Sequence, residues 1–339
     1  MSDKVTMDYT PLFDPKKLLS AARKRRRGHE AAKLAGTGSA ALLGADERDC
    51  LGYVYEDRIV LAVNVALATR RPLLITGLPG SGKSSLACSV ARLKNWRYYE
   101  HVVTSHTQAQ DLLWHFDTLR RLNDAQANKL RPDVAYIEPG VLWWAFNPDS
   151  ARRRGVENLP EGVDEAEPPR QESTAPQAVV LLDEIDKADP DVPNNLLVPL
   201  GLFRFMVPGI NYLVEANREN WPLVIITSNQ ERELPPAFLR RCIPLELQPP
   251  NAERLIEIAR RRFAMVSKDY GPWYEAIARL AAPDTADRTE REGQPSTAEF
   301  LDAVLACINL QIDPREGSQA WRDIQEATLW KPRTTMDVS

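Results

Sequence analysis

Residues 71–85 read RPLLITGLPGSGKSS. Leu73 to Thr76 is a short apolar run of strand type. Glycines punctuate the next positions, and Ser84 to Leu93 reads as a helix. The loop between them fits G-x-x-x-x-G-K-[ST] at Gly77, Gly82, Lys83 and Ser84. Physically this is a phosphate cradle. Glycines let backbone N–H groups turn inward and approach an anion, and the following helix aims its N-terminal dipole at the same point. Lys83 is placed to reach the β- and γ-phosphates, and the Ser84 hydroxyl to ligate Mg²⁺. The flanking strand and helix are the context the motif requires.

Further along, Ala178 to Asp186 reads AVVLLDEID. A continuous aliphatic run is what a strand covered on both faces looks like, so it belongs in the middle of a parallel sheet. It delivers Asp183 and Glu184 to the carboxyl edge, where open α/β sheets bind ligands. There Asp183 would complete the Mg²⁺ shell and Glu184 would polarise an attacking water. Trp221 to Asn229, WPLVIITSN, is a third buried strand and ends on Asn229, a candidate to orient that water. Arg240-Arg241-Cys242 follows on a short helical segment after Pro235-Pro236. Ile243 to Leu247 is a fifth strand candidate, after Arg97 to Val103, and Pro249-Pro250 marks a domain boundary.

The remaining chain fills in around these landmarks. Tyr53 to Thr69 has helical spacing, with Ile59, Val60, Val63 and Leu67 on one side. Thr107 to Leu122 reads as one helix with an apolar stripe extended by Phe116 and Leu119. Tyr136 to Phe146 is apolar and broken by Pro139-Gly140. Asn147 to Gln177 holds five prolines, seven acidic residues and four arginines, a composition expected of a mobile inserted loop without a core. Beyond the boundary the periodicity predicts helices at Ala252 to Phe263, Tyr274 to Leu280 and Ser296 to Leu310, the last opened by a Ser296/Glu299 capping box. Residues 313–339 are polar and mixed, and read as a tail.

Composition bounds the rest. The 339 residues suffice for two domains, and the net charge of −4 argues against a generally nucleic-acid-coating protein. Residues 1–45 are the exception. They carry nine Lys and Arg against four Asp and Glu, including the run Arg23 to Arg27. Such an extension reads either as a solvated helix face or as an arm for nucleic acid or an acidic partner. Cys50, Cys88, Cys242 and Cys307 lack metal-ligand spacing and read as reduced residues of a cytoplasmic protein. The longest apolar run, Ile59 to Ala68, is interrupted by Asn64 and too short to span a membrane, and the N-terminus lacks the apolar core of a signal peptide.

The order of phosphate loop, DE strand, Asn strand, Arg pair and helical end resembles an AAA+ ATPase, and within that class the MoxR group. The group-level cues are Gly140-Val141-Leu142 with Ala145, and the Asp111-Leu112 step. The resemblance covers roughly residues 50–312. It implies an α/β P-loop NTPase core, a five-stranded parallel sheet between helices over residues 46–249, with a small all-α lid over 250–312. It implies ATP and Mg²⁺ as cofactors, with Gly77, Pro79, Gly80, Ser81, Gly82, Lys83, Ser84 and Ser85 as the Walker A cradle and Tyr53 as a further nucleotide contact. Asp183 and Glu184 become Walker B, with Ser84 and Asp183 at the metal, and Asn229 becomes sensor 1. Arg241 becomes the arginine finger, with Arg240 as fallback. The finger acts on a neighbouring subunit, so a ring is implied, most often a hexamer. Protein remodelling with a von Willebrand factor A partner follows from the MoxR likeness; a nucleic-acid-directed loader or translocase is the alternative. Retention of Lys83 and Glu184 argues against a non-catalytic switch. One departure stands out. Where the lid carries a sensor 2 arginine, this chain has Pro295-Ser296-Thr297-Ala298, and the nearest arginines are Arg288 and Arg291. Two hairpins are also implied, one involving Tyr136 to Phe146 and one at Leu202 to Glu215.

Overall fold

The structure is a computed structural model that describes residues 9–20, 52–171, 173–264, 269–282 and 295–330. Cys50, the Arg23 to Arg27 run, Arg288 and Arg291 lie outside the described residues. The described chain forms two compact units. One comprises residues 9–20, 55–76 and 90–246; the other comprises 52–54, 77–89 and the described residues from 247 onward.

The first unit is built on strands β1 (Leu73–Thr76), β2 (Arg97–Val102), β3 (Trp114–Phe116), β4 (Ile137–Pro139), β5 (Ala178–Asp183), β6 (Arg204–Val207), β7 (Tyr212–Glu215), β8 (Leu223–Ser228) and β9 (Ile243–Glu246). Five of them make one parallel sheet in the order β2-β5-β8-β1-β9. Every residue of β5 and β8 is buried, as their unbroken aliphatic runs require of central strands covered by helices on both faces. The register sets Leu181 and Leu73 on either side of Ile225, so the carboxyl ends of β5, β8 and β1 lie together along one edge. Under the sheet the short helix Val141–Phe146 buries five successive side chains, Leu142 to Phe146. Its neighbour Gly140 has no room for a Cβ, which would stand 2.6 Å from the Leu112 carbonyl. Trp143 is fully buried, stacks on Tyr212 and meets Phe205 edge-on. Its removal to Ala would cost about 3–5 kcal/mol.

Both expected hairpin regions contain paired strands: β6 with β7, and β3 with β4. The second pair corrects the single helix expected over Thr107 to Leu122. That stretch divides into helix Ala109–Leu113, strand β3 and helix Thr118–Gln126. Pairing of Trp114 with Pro139, 25 residues on, overrides the local helical spacing. The Thr118–Gln126 helix buries nothing; Leu119 is 69% exposed, so it is not part of a core stripe. The helix expected from Tyr53 begins at Asp57, because Glu56 is extended.

The Asn147 to Gln177 insertion has more built into it than its composition suggests. Asn147 caps a helix, Pro148–Arg152, and Ser150 accepts the Trp143 indole N–H at 2.8 Å. Arg154, Val163 and Ala166 are buried. The Gln171 side chain bonds the backbone N–H and C=O of Tyr98, which covers part of the β2 edge as a missing strand would.

In the second unit the helices Ala252–Arg262, Gly271–Ala281, Thr297–Leu310 and Gln319–Thr328 close around Leu255, Phe263, Ile277, Phe300, Val304 and Cys307. The fourth helix lies where a tail was expected. Trp321 and Ile324, three residues apart, put an apolar stripe on an otherwise polar stretch, and both are buried in that core. The cysteines also differ from expectation: Cys242 and Cys307 are free and buried, but Cys88 is disulfide-bonded. Sequence spacing carries no information on which thiols approach in space. Among the described residues no helix is long and apolar enough to cross a membrane.

Candidate active site

The glycine loop leaves β1 at the carboxyl edge of the sheet and enters the helix Lys83–Lys94. Gly77, Gly80 and Gly82 all have positive φ, at 144°, 73° and 89°. Two of them also have no space for a side chain. A Cβ on Gly77 would stand 2.6 Å from the Leu247 carbonyl oxygen, and one on Gly80 the same distance from the Ser296 Cβ. Lys83 is 6% exposed and donates to the carbonyls of Gly77 and Leu78, at 2.8 and 3.0 Å, so its ammonium arches over the loop. The Ser81 hydroxyl is buried and has no hydrogen-bond partner among the described residues. A buried hydroxyl without a partner is costly unless a ligand meets it. The loop is therefore shaped for a group rich in acceptors, as phosphate is.

Tyr53 lies beside this loop: its Cε2 would be 3.6 Å from a Cβ on Gly82, and Arg261 holds its carbonyl at 3.1 Å. Pro79 and Gly80 are exposed, and Ser84 and Ser85 sit half-buried on the first helical turn. At Pro295 to Ala298, Ser296 and Glu299 cap the Thr297–Leu310 helix reciprocally, at 2.8 and 3.2 Å. The capping serine occupies the place against Gly80.

In the first unit the carboxyl edge gathers Asp183, Glu184, Thr227 and Asn229. Thr227, fully buried, donates through Oγ1 to Asp183 Oδ1 and accepts the Glu184 N–H at 2.9 Å. This bond helps to hold Glu184 in the left-handed region, φ 61°, where the chain turns sharply out of β5. The Glu184 carboxylate accepts from Asn229 Nδ2 at 3.2 Å and from Lys187 Nζ at 2.7 Å. That hydrogen bond raises the Lys187 pKa above its ordinary value. Asp186, 2% exposed, accepts the N–H groups of Asn229 and Glu231, at 3.1 and 2.9 Å, and so fixes the backbone that presents Asn229.

The arginine pair is at the other end of the same sheet. The helix Pro236–Leu239 ends in a turn that exposes Arg240 and Arg241 before β9 begins. Arg71, just ahead of β1, donates to the carbonyls of Arg240, Arg241 and Cys242. It fixes the turn by its backbone and leaves the two guanidinium groups outside. Burial pushes the Cys242 thiol up to about 12, against the pull of the Arg71 charge. Beside the turn lies an open cavity of about 550 Å³, walled by Arg70, Phe203, Trp221, Arg240 and Arg241, with the Arg70 guanidinium 5.0 Å from the Trp221 ring centre.

Thus Asp183, Glu184 and Asn229 are brought together, and Tyr53 joins the glycine loop, whereas Arg240 and Arg241 stand at the opposite end of the sheet from Glu184 and Asn229. Thr227, Asp186 and Lys187 were not singled out from the sequence. Lys187 had a signal, its place three residues after Glu184; the other two depend on pairing across more than 40 residues.

The profile of the AAA domain (dynein-related subfamily) matches residues 72–242. No curated protein sequence matches the chain. Solved structures of similar fold include a point mutant of Thermotoga maritima RuvB, at 15% identity and a TM-score of 0.44 over 80% of this chain and 68% of that one. A second point mutant of the same protein gives 16%, 0.42, 80% and 67%. T. maritima RuvB described as a Holliday junction branch migration motor gives 17%, 0.39, 79% and 66%. The domain match takes in half of the 339 residues, from the last position before β1 to the arginine turn, and the chain belongs to the AAA ATPases of that dynein-related subfamily.

Proposed function

We propose that this ATPase works as a ring of identical copies, of the MoxR type and most often six, that couples ATP hydrolysis to remodelling of a protein partner. One observation carries the ring. Arg240 and Arg241 stand at the amino edge of the sheet, level with Arg71, while Glu184 and Asn229 stand at its carboxyl edge. A strand such as β8, six residues long, separates those edges by roughly 20 Å. An arginine there serves the site of a neighbouring copy better than that of its own sheet. Exposed Leu202, which lines the same cavity, and Leu239, next to Arg240 in the chain, give that neighbour apolar surface to cover.

The residues fit ATP and Mg²⁺. The glycine loop and the buried Ser81 hydroxyl suit the phosphates, and Ser84 and Asp183 each offer a hard oxygen of the kind Mg²⁺ takes. Bound Mg²⁺ would neutralise charge developing on the phosphates. Lys83 would exchange its loop carbonyls for phosphate oxygens, and Tyr53 would flank the nucleotide. Asn229 orients the water. Glu184 accepts its proton as the water oxygen bonds the γ-phosphorus and the bond to the β-phosphate oxygen breaks, giving ADP and phosphate. Arg241 of the adjacent copy, or Arg240 in its place, stabilises the charge of that transition state. A partner with a von Willebrand factor A domain agrees with the MoxR likeness.

The basic run Arg23 to Arg27 favours a second reading, a nucleic-acid-directed module. The test of the first is particle mass by light scattering, with and without a slowly hydrolysed ATP analogue. A shift from monomer to a mass about sixfold larger is expected; a monomer in both conditions rejects the ring. Stimulation of hydrolysis by DNA or RNA, lost on deletion of residues 1–45, would instead establish the second reading.

A further inference from the structure

The Glu184 carboxylate is already engaged on both oxygens. Oε1 accepts the Asn229 amide at 3.2 Å and Oε2 the Lys187 ammonium at 2.7 Å. The second contact is built into the backbone. Glu184 is the left-handed residue that opens a 3-10 turn, Ile185–Lys187, and Lys187 N–H closes that turn on the Glu184 carbonyl at 3.0 Å. In such a turn side chains at i and i+3 eclipse, so the ammonium returns over the carboxylate three residues behind it. Thr227 Oγ1, bonded to the Glu184 N–H, fixes the start of the turn. Neither partner is sealed in: the Lys187 side chain is 41% and that of Glu184 30% exposed.

From this geometry we infer that Lys187 is a positioning residue that restrains Glu184, holding its carboxylate away from the attacking water until the contact opens. The inference rests on reading Glu184 as the residue that takes the proton. To engage a water, the carboxylate has to release or share an oxygen now held by a cation. The nearby carboxylates of Asp186 and Glu231 add to the negative surroundings of Lys187, so its ammonium keeps attractive neighbours when it leaves Glu184. The restraint acts on Glu184 and not on the glycine loop, so it falls on turnover and leaves ATP affinity alone.

The test is steady-state ATP turnover by the full chain. Lys187→Ala is expected to raise kcat about two- to fivefold, the range of a partly exposed ion pair, with KM for ATP unchanged. Lys187→Arg, which restores the cation, is expected to return to the wild-type rate. Lys187→Met keeps the apolar stem and should behave as Lys187→Ala, which covers the case that the alanine variant folds poorly. Lys187→Ala combined with Glu184→Gln should be as inactive as Glu184→Gln alone. If the alanine and methionine variants turn over no faster than wild type while Glu184→Gln is inactive, the restraint is refuted and the role of Glu184 stands. If Glu184→Gln turns over normally, the reading of Glu184 falls and the restraint falls with it.

Discussion

The two ends of the central sheet use polar residues in opposite ways. At the carboxyl edge the side chains bond one another: Thr227 with Asp183, Asn229 and Lys187 with Glu184, and Asp186 with the backbone that carries Asn229. At the amino edge one side chain, Arg71, bonds three successive carbonyls, and the charged groups of Arg240 and Arg241 are left outside. The first end is tied together within the chain. The second stiffens a backbone so that it can present charge to something else. On the proposed reading, the first end holds the base and acids of a site and the second offers a cation to a neighbouring copy.

Three substitutions test that contrast, in descending order of effect. Arg241→Ala should lower turnover about 10³–10⁵-fold, the scale of arginine fingers in GTPases. Mixing it with Lys83→Ala subunits should restore part of the activity, because each copy then supplies what the other lacks. No recovery in particles that contain both variants would place the arginine's role within its own chain. Thr227→Val removes a buried hydroxyl that donates to a carboxylate and accepts an N–H. It should cost about 1–3 kcal/mol of stability in denaturant titration and reduce turnover as well. Arg71→Ala acts at the opposite edge, on partly exposed bonds, and should cost about 1 kcal/mol. Its loss of turnover should track that of Arg241→Ala in direction, while ATP binding stays intact. An Arg71→Ala enzyme with normal turnover would show that the turn holds its shape without the clamp.

Much of this was readable in the sequence, for reasons that are local. The run Ala178 to Asp183 is aliphatic because both faces of β5 are covered, and a strand of that kind announces its burial without help from the rest of the chain. The glycine loop is likewise set by φ values that its own residues dictate. What escaped the sequence is non-local. Strand β3 exists because Trp114 meets Pro139, and nothing within Thr107 to Leu122 says so. Asp186 reads as one more acid after a DE pair until Asn229 and Glu231 fold onto it from more than 40 residues away. The helix Gln319–Thr328 was hidden by its own polar surface: two well-spaced apolar side chains are enough to dock a helix and too few to colour its composition.

Arg71 and Gly77 enclose β1, which is four residues long and hydrogen-bonded to a parallel strand on each side. A strand flanked on both sides cannot stretch or slide alone. It is a short, braced strand whose amino end Arg71 ties to the arginine turn. A change of shape at the turn cannot be taken up by stretching β1 and has to be shared with β8 and β9, its two neighbours in the sheet.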